Sequence, residues 1–236
     1  SADNRYRIFI DGRDFGRGPE RGDIQHWCFE TYEGNISAGE HLLAVQSWWL
    51  GNLAPNAQMS VRPGFFFAAE GEWLEKLSTG HAKWESAFIS GFEFISPGVA
   101  GDTGWNVKID GAMYPWGWEN GHDKLEWYDV KKITTAVSSQ WKNETRPFWM
   151  LLPASLPPMI DESAKPGILR HLATGVEPYP IVSQKHLVAE ATHWGKWLAG
   201  QSLLSIPAKT SRTALIDLEN YYCAYPELIV SGGQGA

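Results

Sequence analysis

The amino-acid sequence predicts an all-β chain, a jelly-roll-like sandwich followed by the start of a second β domain. Three observations predict it. Short apolar runs of strand length are separated by Gly, Pro and Asp-Gly turn signals. Helical spacing of apolar residues is almost absent along the chain. A group of prolines, Pro147, Pro153, Pro157 and Pro158, interrupts the chain with backbone that favours extension and cannot donate to a ladder. The expected organisation is therefore a sandwich over residues 1–146, a proline-rich strap over 147–160 and a partial second sandwich over 161–236.

Each element follows from local chemistry. Tyr6-Arg7-Ile8-Phe9-Ile10-Asp11 alternates in the manner of a strand. Asp11-Gly12 then supplies the two positive-φ positions of a tight hairpin. Residues 15–19 lead into a loop, and 27–32 form a second aromatic, β-prone run. After a turn over 34–40, residues 42–50 are apolar on both sides, as expected of a strand central in a sandwich. Val61-Arg62-Pro63-Gly64 is a turn, and 65–69 another strand. Residues 96–127 are rich in Gly and Trp and read as a long, ordered aromatic loop. A short helical turn is expected within 123–137. Beyond the strap, Leu187, Ala191, Trp194 and Leu198 fall at helical spacing, although irregular strands fit the same stretch. Residues 213–218 and 227–231 read as strands.

Composition narrows the function. Net charge is -7 with no basic stripe, which argues against nucleic acid and anionic membrane surfaces as partners. No apolar stretch has the length of a membrane-spanning helix. Cys28 and Cys223 lie far apart without a neighbouring Cys, so two buried free thiols are expected rather than a metal site. Neither a zinc-type His spacing nor a nucleophile elbow nor a phosphate loop is present, and no cofactor or metal is expected. The acidic residues Asp102, Asp110, Glu119, Asp123, Glu126 and Asp129 carry oxygens of the kind Ca²⁺ uses, but read first as solvated charge. Asn35-Ile36-Ser37 and Asn143-Glu144-Thr145 match the glycosylation triplet, a match short enough to arise by chance.

Aromatic residues make up 13% of the chain and include 13 Trp, enough to fill a core and leave rings for a surface. A Trp face matches the apolar C–H face of a sugar, and its N–H matches a polar edge. Trp116-Gly117-Trp118-Glu119-Asn120 joins two rings, a bend, a carboxylate and an amide, the composition of a sugar platform. The competing reading is a loop pinned to its own sandwich by buried Trp. Trp48 and Trp49 end a strand and point to opposite faces, one inward and one toward a surface where it could meet sugar.

Several blocks together resemble one family. Ala2-Asp3-Asn4-Arg5-Tyr6-Arg7-Ile8-Phe9-Ile10-Asp11-Gly12-Arg13 with Gly16-Arg17-Gly18-Pro19 resembles the strand and turn of sugar-hydrolase sandwich domains. Ser37-Ala38-Gly39-Glu40-His41-Leu42-Leu43-Ala44-Val45, Leu152-Pro153-Ala154-Ser155-Leu156-Pro157-Pro158-Met159 and Asp217-Leu218 through Gly232-Gly233-Gln234-Gly235-Ala236 continue the pattern in order. The set resembles the N-terminal β-sandwich region of α-L-rhamnosidase-like glycoside hydrolases. Asp11 and His41 stand where that pattern has Asn, and Ala154 where it has Arg.

The resemblance implies a galactose-binding-like or jelly-roll sandwich that belongs to a longer polypeptide, whose other strands precede Tyr6 and follow Ala236. In the family the catalytic carboxylates lie on a barrel of long helices, so no catalytic residue is carried over here. The expected role is to buttress that barrel and to contact a rhamnose-containing glycan, with the rest of the parent polypeptide as partner. An independent carbohydrate-binding module and a purely structural or interaction sandwich are the alternatives.

Overall fold

The computed structural model describes residues 1–23, 25–96, 105–122, 124–138, 149–158, 160–164, 166–175 and 181–232. Asp102, Asp123, Pro147, Met159, the 143–145 triplet and the 233–236 end of the last family block lie outside them. The chain divides into two compact units, Ser1–Pro158 and Met159–Ala236.

The first unit is organised around one hairpin. Strands β1 (Arg5–Ile10) and β2 (Arg13–Gly18) run antiparallel, joined by Asp11 at φ 49° and Gly12 at φ 71°. Both turn residues are left-handed, the geometry whose twist matches paired strands. Asp11 tolerates it because its backbone and carboxylate are both tied to Leu42. Strand β3 covers Trp27–Phe29, and β4 (Leu43–Trp48) pairs with the other side of β1. The sheet order β2-β1-β4 makes β1 the central strand, so β4 is not central as its apolarity suggested.

Packing accounts for that apolarity. Side chains of β1 alternate between faces. Tyr6 and Ile8 join Ala2 on one face, with Leu43, Val45, Phe65 and Phe67 packed against them. Phe9 joins Ala44 and Trp118 on the other, with Ile89, Tyr114 and Leu125. Strand β4 therefore contributes to two cores although hydrogen-bonded on one edge.

Other elements depart from the sequence reading. Phe15 lies within β2 rather than in a loop. Residues 65–69 form only an isolated bridge, Ala2 to Phe65. Short strands β5 (Glu85–Ser86), β6 (Phe92–Ile95), β7 (Asn106–Ile109), β8 (Tyr128–Asp129) and β9 (Val137–Ser138) follow, β5 pairing with β8 and β6 with β7. Strand β7 lies inside the stretch read as an aromatic loop, and β8 and the first residue of β9 stand where a helical turn was expected. Four residues of the proline-rich strap are themselves a strand, β10 (Met150–Pro153), parallel to both β3 and β9. Pro153 closes it, where a missing N–H costs least.

The second unit pairs β11 (Ile168–Thr174) with β12 (Arg212–Asp217), and an α-helix, Val188–Leu198, packs on β11. Leu172 and Ala173 are fully buried, and the helix turns Trp194 and Leu198 inward. That resolves the 187–198 stretch as helix. Residues 227–231 form no ladder, and Ile229 is fully exposed. Their β propensity meets no neighbouring strand among the described residues, and propensity alone does not make a sheet.

The molecule is thus rich in strands and poor in helix, with several small open sheets. No helix among the described residues is long and apolar enough to cross a membrane. Both thiols are free, but only Cys28 is buried; Cys223 is exposed, which corrects the expectation of two buried thiols.

Candidate functional site

The aromatic loop over 110–122 is folded by its own backbone. Asp110 O accepts from the N–H groups of Met113 and Tyr114, and Gly117 O accepts from those of Asn120 and His122. Gly117 at φ 85° and Gly121 at φ 71° bracket a single 3-10 turn, Trp118–Asn120. Only a residue without Cβ takes those angles freely. Ser90 Oγ donates to Met113 O at 2.8 Å and fixes the loop to the chain preceding β6.

This loop sends its two Trp rings in opposite directions. Trp118 is buried, meets Phe9 edge-on at 5.5 Å, and donates Nε1–H to the Tyr114 hydroxyl at 3.0 Å. It pins the loop to β1 and β4 and presents no face to a ligand, so the two-ring platform is not formed. The physical reason is the apolar hole beside Phe9 and Ala44, which the large ring fills. Trp116 is 68% exposed. Its Nε1–H donates to Gly111 O at 2.7 Å, and Tyr114 supports it edge-on at 4.7 Å. An open aromatic face is thereby held still.

Glu119 is half-buried and Asn120 exposed beside this turn. Asn120 lies against the hairpin tip so closely that a Cβ on Gly12 would come within 1.9 Å of its Oδ1. Gly121 meets Leu42 in the same place. The aromatic loop, the Asp11-Gly12 tip and the 37–42 segment therefore converge on one surface.

That surface carries an ion pair absent from the sequence reading. His41 Nδ1 lies 2.7 Å from Asp11 Oδ2, and His41 Nε2 lies 2.8 Å from Ser37 O. Asp11 Oδ1 accepts from Leu42 N–H at 2.9 Å. With both ring nitrogens donating, the imidazolium form is favoured. The Asp11 carboxylate raises the His41 pKa, and the His41 and Leu42 donors lower that of Asp11. The signal was available only as two departures from the family pattern, Asp11 and His41.

Trp48 and Trp49 are not brought to this surface. Trp48 pairs with Arg5 at one end of the sheet, whereas the hairpin tip and Leu43 are at the other. Five strand steps separate Leu43 from Trp48, about 17 Å at the usual rise. Both rings are partly exposed, at 39% and 45%, so neither is the inward ring expected. Trp49 folds over Gly51, where a Cβ would meet its ring at 3.0 Å.

Two of the described acidic residues have local partners of their own. Asp110 Oδ1 accepts from Ala112 N–H, and Asp129 lies 3.9 Å from Lys83. Comparison with protein-family models, with curated proteins and with solved structures found no match to this chain.

Proposed function

We propose that the chain is a non-catalytic accessory region of a larger glycoside hydrolase of α-L-rhamnosidase type. Its strands would form jelly-roll or galactose-binding-like sandwiches that buttress the catalytic barrel, and it would contact carbohydrate on the surface beside the hairpin tip. The observation that carries the carbohydrate contact is Trp116, a large ring left open to solvent while its N–H and one edge are fixed. A preorganised face loses little freedom when a sugar stacks on it. Glu119 and Asn120 supply an acceptor and a donor on the same turn. The family resemblance supplies the parent enzyme and assigns the reacting carboxylates to its barrel.

The experiment is a titration of the chain with L-rhamnose, followed by NMR. Millimolar, saturable binding is expected, because one monosaccharide gains little beyond the cost of association. Trp116→Ala removes it while leaving the fold intact by circular dichroism. Absence of saturation, or binding unchanged in Trp116→Ala, overturns the contact. The accessory reading is checked separately: the chain does not hydrolyse an aryl α-L-rhamnoside, and turnover that maps to one of its carboxylates refutes it.

A further inference from the structure

A concavity lies on the first unit, lined by none of the residues of the aromatic loop. Its walls are Phe15, Tyr32 and residues 30–33 on one side and Ala154, Leu156 and Pro158 on the other, enclosing about 430 Å³. That volume falls within the range of sites for small groups. It opens where two paired strands part. The last ladder pair of β3 and β10 is Phe29 with Pro153, and Ala154 N–H still reaches Phe29 O. Beyond that point the two chains diverge without further ladder bonds among the described residues.

The walls are fixed from behind. Glu20 accepts from Ser155 N–H at 2.6 Å, Leu156 N–H at 2.9 Å and Ser155 Oγ at 3.2 Å, which fastens one wall. Its own N–H donates to Glu30 Oε1 at 2.8 Å, which fastens the other. Tyr32 donates its hydroxyl to Arg17 O at 2.5 Å and shares a bond with Tyr6. Gly16 and Gly34 let the Tyr32 and Phe15 rings lie directly on the backbone, since a Cβ on either would come within 2.5 Å of a ring.

The chemistry of the lining is one-sided. Glu30 and Glu33 are its charged groups, and no Lys, Arg or His lines it. Glu20 has its carboxylate committed to 155 and 156, so the acceptors lining the cleft are Glu33 and Glu30, the latter with Oε1 already holding Glu20 N–H. Arg17, which acts on the Tyr32 phenol, is the nearby basic residue and is not part of the lining. Two carboxylates beside two aromatic rings reject an anion and complement a cation. The charge of the whole chain, -7, acts in the same direction at longer range.

We propose that this cleft receives the cationic end of a Lys or Arg side chain presented by a partner polypeptide, with Glu30 and Glu33 as acceptors and the Phe15 and Tyr32 rings as walls. The site is independent of Trp116 and of any carbohydrate role.

The test uses the full chain at low salt, titrated with acetyl-Gly-Lys-Gly-amide and acetyl-Gly-Arg-Gly-amide and followed by amide NMR. Saturable shifts are expected at Phe15, Thr31, Glu33 and Leu156, in the millimolar range and weakening as salt is raised. Glu33→Gln and Glu30→Gln each weaken binding up to about fivefold, the effect of one exposed charge pair. Glu30→Gln keeps the acceptor that Glu20 N–H needs, so the wall stays in place. Glu72→Gln, an exposed carboxylate elsewhere, leaves binding unchanged, as does Trp116→Ala. The proposal is overturned if acetyl-Gly-Gln-Gly-amide binds as well, if methyl α-L-rhamnoside rather than the peptides moves these amides, or if the double variant Glu30→Gln, Glu33→Gln binds as the parent does.

Discussion

At the scale of single residues, the pair Asp11 and His41 shows how a turn becomes part of a surface. Asp11 occupies a left-handed position, and its carboxylate is shared between Leu42 N–H and the His41 ring. Arg13 adds a weaker attraction that also favours the ionised carboxylate. The raised pKa of His41 means that its contribution to stability is complete below the ordinary imidazole value and fades as pH rises through the raised one. The lowered pKa of Asp11 means that its contribution is complete above the ordinary carboxylate value and fades as pH falls through the lowered one. The link is therefore strongest from about pH 4 to about pH 6.5, between the two ordinary values. An NMR titration of the imidazole is expected to give His41 a midpoint above that of free histidine, and Asp11→Asn to move it back toward the ordinary value. A midpoint indifferent to Asp11→Asn contradicts the pairing. The stability difference between the chain and Asp11→Asn shrinks on both sides of the window.

At the scale of elements, the aromatic loop separates two roles that composition had joined. Trp118 fills the core beside Phe9, so Trp118→Ala leaves a cavity and is expected to destabilise the first unit by about 3–5 kcal/mol. Trp116→Ala removes an exposed ring and is expected to change stability by about 0.5 kcal/mol or less. Urea denaturation of both variants checks the contrast, and equal losses would mean that Trp116 also packs. Nothing in Trp-Gly-Trp spacing says which ring turns inward, because the hole that Trp118 fills is made by β1 and β4, distant in sequence. What was legible was local. Asp11-Gly12 announced its hairpin because the turn geometry is set by two adjacent residues, whereas the 187–198 spacing fitted a helix and irregular strands alike and packing on β11 decides for the helix. Strand β11 was not read from sequence, since its burial depends on the helix and β12 that cover it. Residues 227–231 were read as a strand for the converse reason: the propensity is there and the partner is not.

At the scale of the whole molecule, those unpaired residues mark one place where the chain opens easily. Local opening is easiest where backbone bonds and buried apolar contacts are few. Tyr221 is 90% exposed, Leu228 67% and Ile229 100%, within a run that has no ladder among the described residues. Phe88 is just as open at 93%, but its neighbour Ile89 packs on the Phe9 and Trp118 core and Ser90 is bonded to Met113. A protease must bind an extended stretch of several residues rather than one ring, and the chain around Phe88 is held on its C-terminal side. Brief chymotrypsin treatment is therefore expected to cut after Tyr221, Tyr222 or Leu228 before it cuts after Phe88. Tyr225 is spared because Pro226 follows it. Mass spectrometry of the first products reads the order directly. A first cut after Phe88 would show that the segment beyond β12 is better protected than its exposure implies, and that its apolar residues are covered in solution.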